Sequence, residues 1–185
     1  METKKRKIFI TSDTHFFHKN IIAYCNRPFE SVPEMNDVLI KNWNNAVSPN
    51  DIVIFCGDFC FARTASAFDV TAQLTSMLNG NKIIIKGNHD FKKFRYTDCG
   101  WKAEYYQEWV FNNRFSFRHR PDNIQNDANK FDFIFYGHVH DKIINDAPTN
   151  TINVCVDVNN FTPIDITNYF TDNEIKKIYS LIVEA

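Results

Sequence analysis

No apolar stretch in this sequence approaches the roughly 20 residues that a membrane span requires, and the apolar run over 131–136 already carries an aspartate. A membrane role is therefore not expected. The basic opening, residues 1–7, is followed only by Ile8-Phe9-Ile10 before polar residues return. That pattern lacks a signal-peptide hydrophobic region, and the cytoplasm is the expected location. The five cysteines, an odd number, include no Cys-x-x-Cys pair, which argues against a disulfide framework and against a structural zinc knuckle. Net charge is small too: 21 basic and 22 acidic side chains give −1, which disfavours indiscriminate polyanion binding. Residues 81–120 nevertheless hold nine basic and four acidic side chains, so the middle of the chain is locally basic.

What is present is enough apolar surface for a globular core, with 44% hydrophobic, 15% aromatic and 23% charged residues. At 185 residues the chain is expected to form a single domain over 1–185. Short apolar runs at 7–11, 51–56 and 82–86 predict buried strands. Ser31-x-x-Glu34 is a capping box, and Met35, Val38, Leu39, Trp43 and Ala46 recur at helical spacing, predicting a helix over 34–46. A second helix is expected over 64–78, stopped by Asn79-Gly80. Beyond residue 100 the pattern turns to strands. The segments 104–110 and 114–117 flank Asn112-Asn113 as a hairpin, and strands at 131–136, 151–156 and 164–166 follow. Thr171-x-x-Glu174 caps a terminal helix. The expectation is an α/β fold of two packed sheets flanked by helices.

Three of the five glycines each follow a predicted strand and precede a polar, ligand-type residue: Gly57-Asp58, Gly87-Asn88-His89-Asp90 and Gly137-His138-Val139-His140. Glycine at a strand's carboxyl end permits a sharp turn that throws the next side chain across the top of a sheet, where open α/β architectures bind ligands. A fourth strand runs into Asp13-Thr14-His15 without a glycine. Five of the six histidines fall at or just after strand ends, and the spacing of His138 and His140 puts both on one face of a strand. Imidazoles and carboxylates with one amide oxygen and no thiolate are the ligand set of borderline-hard divalent ions. Asp13, His15, Asp58, Asn88, His119, His138 and His140 supply seven donors, enough for two ions bridged by a carboxylate such as Asp58.

Taken in order, Asp13-x-His15, Gly57-Asp58, Gly87-Asn88-His89-Asp90, a lone His119 and Gly137-His138-x-His140 resemble the motif set of the calcineurin-like metallophosphoesterase superfamily. The likeness is to its small single-domain bacterial and phage members. It implies a four-layer α/β/β/α sandwich with two mixed β-sheets. It also implies one ion held by Asp13, His15, Asp58 and His140, and another by Asp58, Asn88, His119 and His138. Asn88 would face the phosphate as well, His89 would stabilise the transition state or protonate the leaving oxygen, and Asp90 would orient His89. The implied cofactors are two divalent metal ions, Mn2+ favoured, with Zn2+, Fe2+/3+, Ni2+ or Mg2+ as alternatives.

The implied chemistry is phosphate-ester hydrolysis by a hydroxide held between the two metals, which acidify their shared water from about 15.7 toward neutrality. A positioned imidazole such as His89 adds roughly 10²–10⁴-fold as the acid. The expected partner is a small phosphate-ester substrate, a phosphodiester for preference and nucleotide-like in character. A phosphomonoester, or a nucleic-acid strand acted on by a nuclease, is the alternative at the same site. A non-catalytic protein-interaction module on the same fold is the alternative of another class, disfavoured because every ligand position and His89 are filled. Arg27, in the loop after the first motif, is a candidate fork for a phosphate against the default of a solvated cation, and His18 a candidate substrate contact against a plain loop residue. A monomer and a homodimer are equally compatible with the sequence.

Overall fold

The computed structural model describes residues 6–62 and 66–183. Strands β1 (Ile8–Thr11), β2 (Ile52–Phe55) and β3 (Asn81–Lys86) are parallel neighbours, with Ile8 opposite Ile52 and Ile52 opposite Asn81. Parallel pairing demands crossovers. Helices α1 (Lys19–Tyr24) and α2 (Val32–Ala46) carry the chain from β1 to β2, and α3 (Ala67–Met77) carries it from β2 to β3. Half of the expected capping box forms: Ser31 Oγ accepts from Glu34 N, but the Glu34 carboxylate reaches one residue further back and accepts from Glu30 N. Helix α2 begins two residues before the predicted start, because Pro33 fits the first turn, where an N–H has no partner to lose. The start expected for the next helix, at 64, lies outside the described residues, as do residues 1–5 of the basic opening.

The strand expected over 104–110 is two strands belonging to different sheets. β4 (Ala103–Tyr106) pairs with β3, whereas β5 (Glu108–Phe111) pairs with β6 (Phe115–Arg118). Between them Gln107 takes a left-handed φ of 65° and steps the chain from one sheet to the other. Tyr105 and Trp109 keep the same parity and stack at 5.2 Å, so the alternation carries no trace of the break. The predicted hairpin turn is present: Asn112 and Asn113, at φ 54° and 55°, join β5 to β6 with the twist that a two-residue turn requires.

After the short helix α4 (Ile124–Asp127), β7 (Phe133–Tyr136) and β8 (Thr151–Asn153) extend the second sheet in parallel, giving the order β5-β6-β7-β8. β9 (Ile164–Asp165) returns antiparallel to β1, so the first sheet reads β4-β3-β2-β1-β9. The chain then closes with α5 (Asp172–Val183). Side chains alternate between the faces of the first sheet. Ile8, Ile10, Ile52, Ile54, Ile83 and Ile85 meet Trp109, Phe115, Phe117 and Phe135 of the second sheet, with Ile175, Ile178 and Ile182 of α5 joining that core. Phe9, Val53, Phe55 and Ile84 face the other way, onto Met35, Leu39 and Trp43 of α2 and Leu74 of α3. On the outer face of the second sheet Ile124 covers Ile134 and Tyr136. The result is two mixed sheets between helical layers, the outer one over the second sheet reduced to α4 and its loops. Among the described residues no helix is long and apolar enough to cross a membrane.

Candidate metal centre

The residues singled out by the motifs follow the carboxyl ends of β1, β2, β3, β6 and β7. Asp13, His15, Asp58, His138 and His140 all adopt left-handed backbone, with φ between 48° and 73°. Such conformations cost roughly 1–3 kcal/mol at non-glycine residues and gather where function demands a particular aim. They correct the strand-face reading of His138 and His140: β7 stops at Tyr136, and the left-handed bends send the two rings to different places. The glycines also serve two distinct purposes. Gly57 sits at φ 90°, and a Cβ there would lie 2.6 Å from Gly87 N and 2.7 Å from His119 Nδ1. Gly87 and Gly137 are needed instead for close approach, since a Cβ at either would drive into the carboxylate of Asp58 or Asp13 respectively.

Among the motif residues two groups of ligand-type atoms result, each with every atom within 4.8 Å of the others: Asp13, His15 and His140 in one, Asp58, His119 and His138 in the other; a third group, Cys25, His140 and Asp157, lies behind the His140 ring. Asp58 Oδ2 joins the first two, lying 3.5 Å from His15 Nε2 and 3.3 Å from His119 Nε2. Asp13 Oδ1 is 3.8 Å from both His15 Nε2 and His140 Nε2. Asn88 Oδ1 adjoins the second group at 3.0 Å from His119 Nε2. All seven sequence-identified donors are therefore brought together.

In the two carboxylates and in His119 and His140, one atom is engaged by the protein and the other is aimed inward. Asp13 Oδ2 accepts from His138 N at 2.9 Å and from Cys155 Sγ at 3.2 Å, while Asp13 Oδ1 is buried without a hydrogen-bond partner among the described residues. Asp58 Oδ1 accepts from His89 N at 2.9 Å, leaving Oδ2 to the cluster. His119 Nδ1 lies 2.9 Å from Cys56 O and His140 Nδ1 2.7 Å from Asp157 Oδ2, contacts that put a proton on Nδ1 of each ring and turn Nε2 toward the cluster. His15 Nε2 is likewise buried and without a hydrogen-bond partner among the described residues. Buried polar atoms without partners are rare, and an oxygen and a nitrogen converging in this way fit divalent cations.

The local field has the same sign. Burial holds the His15 imidazole at about 3 and the His138 imidazole at about 4, so both offer lone pairs at neutral pH. Burial opposes charge on His119 and His140 as well. There the hydrogen bond to Asp58 and the charge of Asp13 prevail, lifting His119 to about 9, and the hydrogen bond to Asp157 leads in lifting His140 to about 10. Asp58 is disfavoured as an anion by burial, yet His119 brings it down to about 2. The carboxylates thus stabilise positive charge inside the site.

A family profile for calcineurin-like phosphoesterases matches residues 6–126. The chain belongs to this family. A relative, an uncharacterised protein of Methanocaldococcus jannaschii, is 40% identical over 169 residues, 87% of this chain and 88% of its own. A crystal structure of a protein of unknown function from Aquifex aeolicus shares the fold at TM-score 0.67 and 22% identity, over 94% of this chain and 99% of that one. The Pseudomonas putida nuclease MPE superposes more loosely, at TM-score 0.48 and 18% identity over 73% of this chain and 61% of that one.

Three site residues of this phosphoesterase differ from expectation. Arg27 is not a phosphate fork. Its guanidinium is buried, with Nε and Nη2 on Asp157 at 2.8 and 3.0 Å, Nη2 on Asp13 O at 2.7 Å, and Nη1 on Thr14 O at 2.9 Å and Met35 Sδ at 3.4 Å. The bent backbone around Asp13 turns carbonyls inward, and buried carbonyls require donors. Asp90 does not orient His89. Its carboxylate accepts from Asp58 N, Phe59 N, Gly87 N and Tyr96 Oη, between 2.7 and 3.0 Å, tying two motif loops together while His89 faces solvent. Burial raises its pKa. His18 caps α1 through Nδ1, which accepts from Ile21 N at 2.9 Å, and its ring meets Phe61 edge-on at 4.1 Å.

Sequence reasoning missed Asp157 and Cys155. Cys155 lies within the apolar strand read at 151–156, and Asp157 stands just past it as Asp13 and Asp58 stand past theirs. That repetition was the available signal. The thiols are free as expected, and burial raises the Cys155 pKa, keeping it protonated as a donor to Asp13.

Proposed function

We propose that this chain is a dinuclear, metal-dependent phosphodiesterase acting on nucleotide-like esters, with Mn2+ its preferred ion. The observation that supports this most is Asp58 Oδ2, set between His15 Nε2 at 3.5 Å and His119 Nε2 at 3.3 Å as a carboxylate shared by two ligand groups. Asp13, His15, Asp58 and His140 would hold one ion, and Asp58, Asn88, His119 and His138 the other. When bound, two such cations supply charge neutralisation at phosphoryl oxygens and a water acidified toward neutral pH. Asn88, exposed at the rim, positions the phosphate by its amide. His89, exposed beside it with its ring 5.5 Å from that of His15, delivers a proton to the leaving oxygen. Its backbone N–H on Asp58 Oδ1 fixes the distance between acid and metal pocket.

The test is turnover of phosphate mono- and diesters by purified protein loaded with manganese, alongside His89→Ala. The expected result is diester hydrolysis abolished by chelator, with His89→Ala slowing turnover roughly 10²–10⁴-fold while metal content is kept. Inertness toward every ester would favour a non-catalytic interaction module, and faster monoester turnover would overturn the diester assignment.

A further inference from the structure

A cleft of about 580 Å³ opens directly from the metal centre, with Asn88 and His119 as its inner wall. It lies where the two sheets part, between the end of β3 at Lys86, the end of β4 at Tyr106 and the loop after β6 at Arg120. A cleft of this volume accommodates a small organic ligand. Any ester whose phosphorus sits against Asn88 and His119 must send a substituent into it or away from it.

The walls carry a specific chemistry. Lys86 is buried with its ammonium 5.2 Å from the Tyr96 ring centroid and 4.9 Å from that of Tyr106. One face of Tyr106 is thus covered by a cation, yet the residue remains 64% exposed, leaving the rest of the ring to the cleft. Such a ring is a platform for a planar base. The outer wall holds cations of two kinds. Arg118 is locked to Glu108 and Asp127 by ion pairs of 2.6 and 2.8 Å and is structural. Lys92 is exposed and makes no ion pair among the described residues, and Arg120 has only the exposed Asp122 at 3.3 Å. An exposed pair of that type contributes little and gives way readily to a phosphate.

We propose that this cleft binds a nucleoside bearing a further phosphate, the base stacked on Tyr106 and the second phosphate held by Lys92 and Arg120. The proposal rests on the phosphodiesterase reading for its catalytic consequence and names the substituent that reading leaves open.

Three chromogenic diesters separate the parts: bis(p-nitrophenyl) phosphate, the p-nitrophenyl ester of thymidine 5′-phosphate, and the same ester with a 3′-phosphate. With manganese-loaded protein, kcat/KM should rise along that order. Tyr106→Ala should erase roughly tenfold of the nucleoside's advantage, and Lys92→Ala combined with Arg120→Ala should remove only the gain from the 3′-phosphate, with salt dependence falling in parallel. Calorimetric titration of chelator-treated protein with thymidine 3′,5′-bisphosphate gives a second readout, weakened by the same variants. Turnover of all three esters at equal efficiency, unaffected by the variants, would overturn the cleft assignment and leave the phosphodiesterase reading standing. Bisphosphate binding that needs Tyr106, with no ester hydrolysed, would overturn that reading and keep the cleft. A single-stranded decanucleotide cleaved faster than the phosphorylated nucleotide ester would assign the cleft to a strand, and one cleaved no faster to a free nucleotide; both support it.

Discussion

Asp157 Oδ2 lies 2.7 Å from His140 Nδ1, so a carboxylate contributed by the short helical turn Val156–Val158 after β8 sets the orientation of a ring contributed by the loop after β7. The same carboxylate receives Nε and Nη2 of Arg27, whose remaining donors reach the carbonyls of Asp13 and Thr14. One buried acid therefore governs both ends of the first ligand group: the tautomer of His140 and the backbone that aims Asp13.

Asp157→Asn removes that control and leaves the Arg27 charge buried without its counter-ion. Removing one partner of a buried pair typically costs about 3–5 kcal/mol, and removing the acid behind a ligating histidine weakens metal binding roughly 10–100-fold. Both losses are expected together, by denaturant unfolding and by manganese titration. A variant matching the parent in both would show that the His140 and Arg27 contacts are incidental.

Asp90→Asn distinguishes a loop clamp from an acid-orienting role. The carboxylate serves three backbone N–H groups and the Tyr96 hydroxyl, and a neutral amide cannot accept all four with the same geometry. The expected outcome is a loss of about 1–3 kcal/mol of stability, the cost of leaving a buried donor unmet. The pH–rate profile should keep its shape. A displaced acidic or basic limb would return Asp90 to the service of His89.

These two residues mark where the sequence was legible and where it was not. Strands β1, β2 and β3, helix α2 and the Asn112-Asn113 turn were readable because period, caps and turn chemistry are local. That seven donor-type side chains would gather at one place was readable because each follows a buried strand. The sheet change at Gln107 was not, since one left-handed residue leaves the hydrophobic alternation of Tyr105 and Trp109 unaltered. Nor were the partners of Arg27 and Asp90, because a charged side chain in a loop looks alike whether solvated or buried. Its fate depends on carbonyls and N–H groups up to 130 positions away, as in Arg27 and Asp157.

Far from the site, Glu174 gives a pH prediction. Its carboxylate accepts from Thr171 N and Oγ1, Asn112 Nδ2 and Arg114 Nη1, between 2.8 and 3.1 Å. Burial opposes its charge, but these hydrogen bonds prevail and bring it to about 2. A folded-state value below the unfolded one means stabilisation that is complete above the ordinary glutamate range and lost as pH falls through about 4 toward 2. Glu174→Gln should therefore lower stability by about 1 kcal/mol at pH 7 and converge with the parent near pH 2. An equal deficit at both pH values would contradict the assignment.

The shared carboxylate itself is tested by metal stoichiometry. Asp58→Asn should empty both positions, whereas Asp13→Asn should empty only the one beside His15 and His140, as counted by elemental analysis of dialysed protein. Equal losses from the two variants would contradict the division of ligands.

The most direct measurement is an anomalous difference map from a crystal soaked in manganese chloride. Two peaks roughly 3.5–4 Å apart, both touching Asp58, one also reaching Asp13, His15 and His140 and the other Asn88, His119 and His138, are the predicted result. A single peak, or manganese bound elsewhere while Asp13 Oδ1 and His15 Nε2 stay bare, would contradict it.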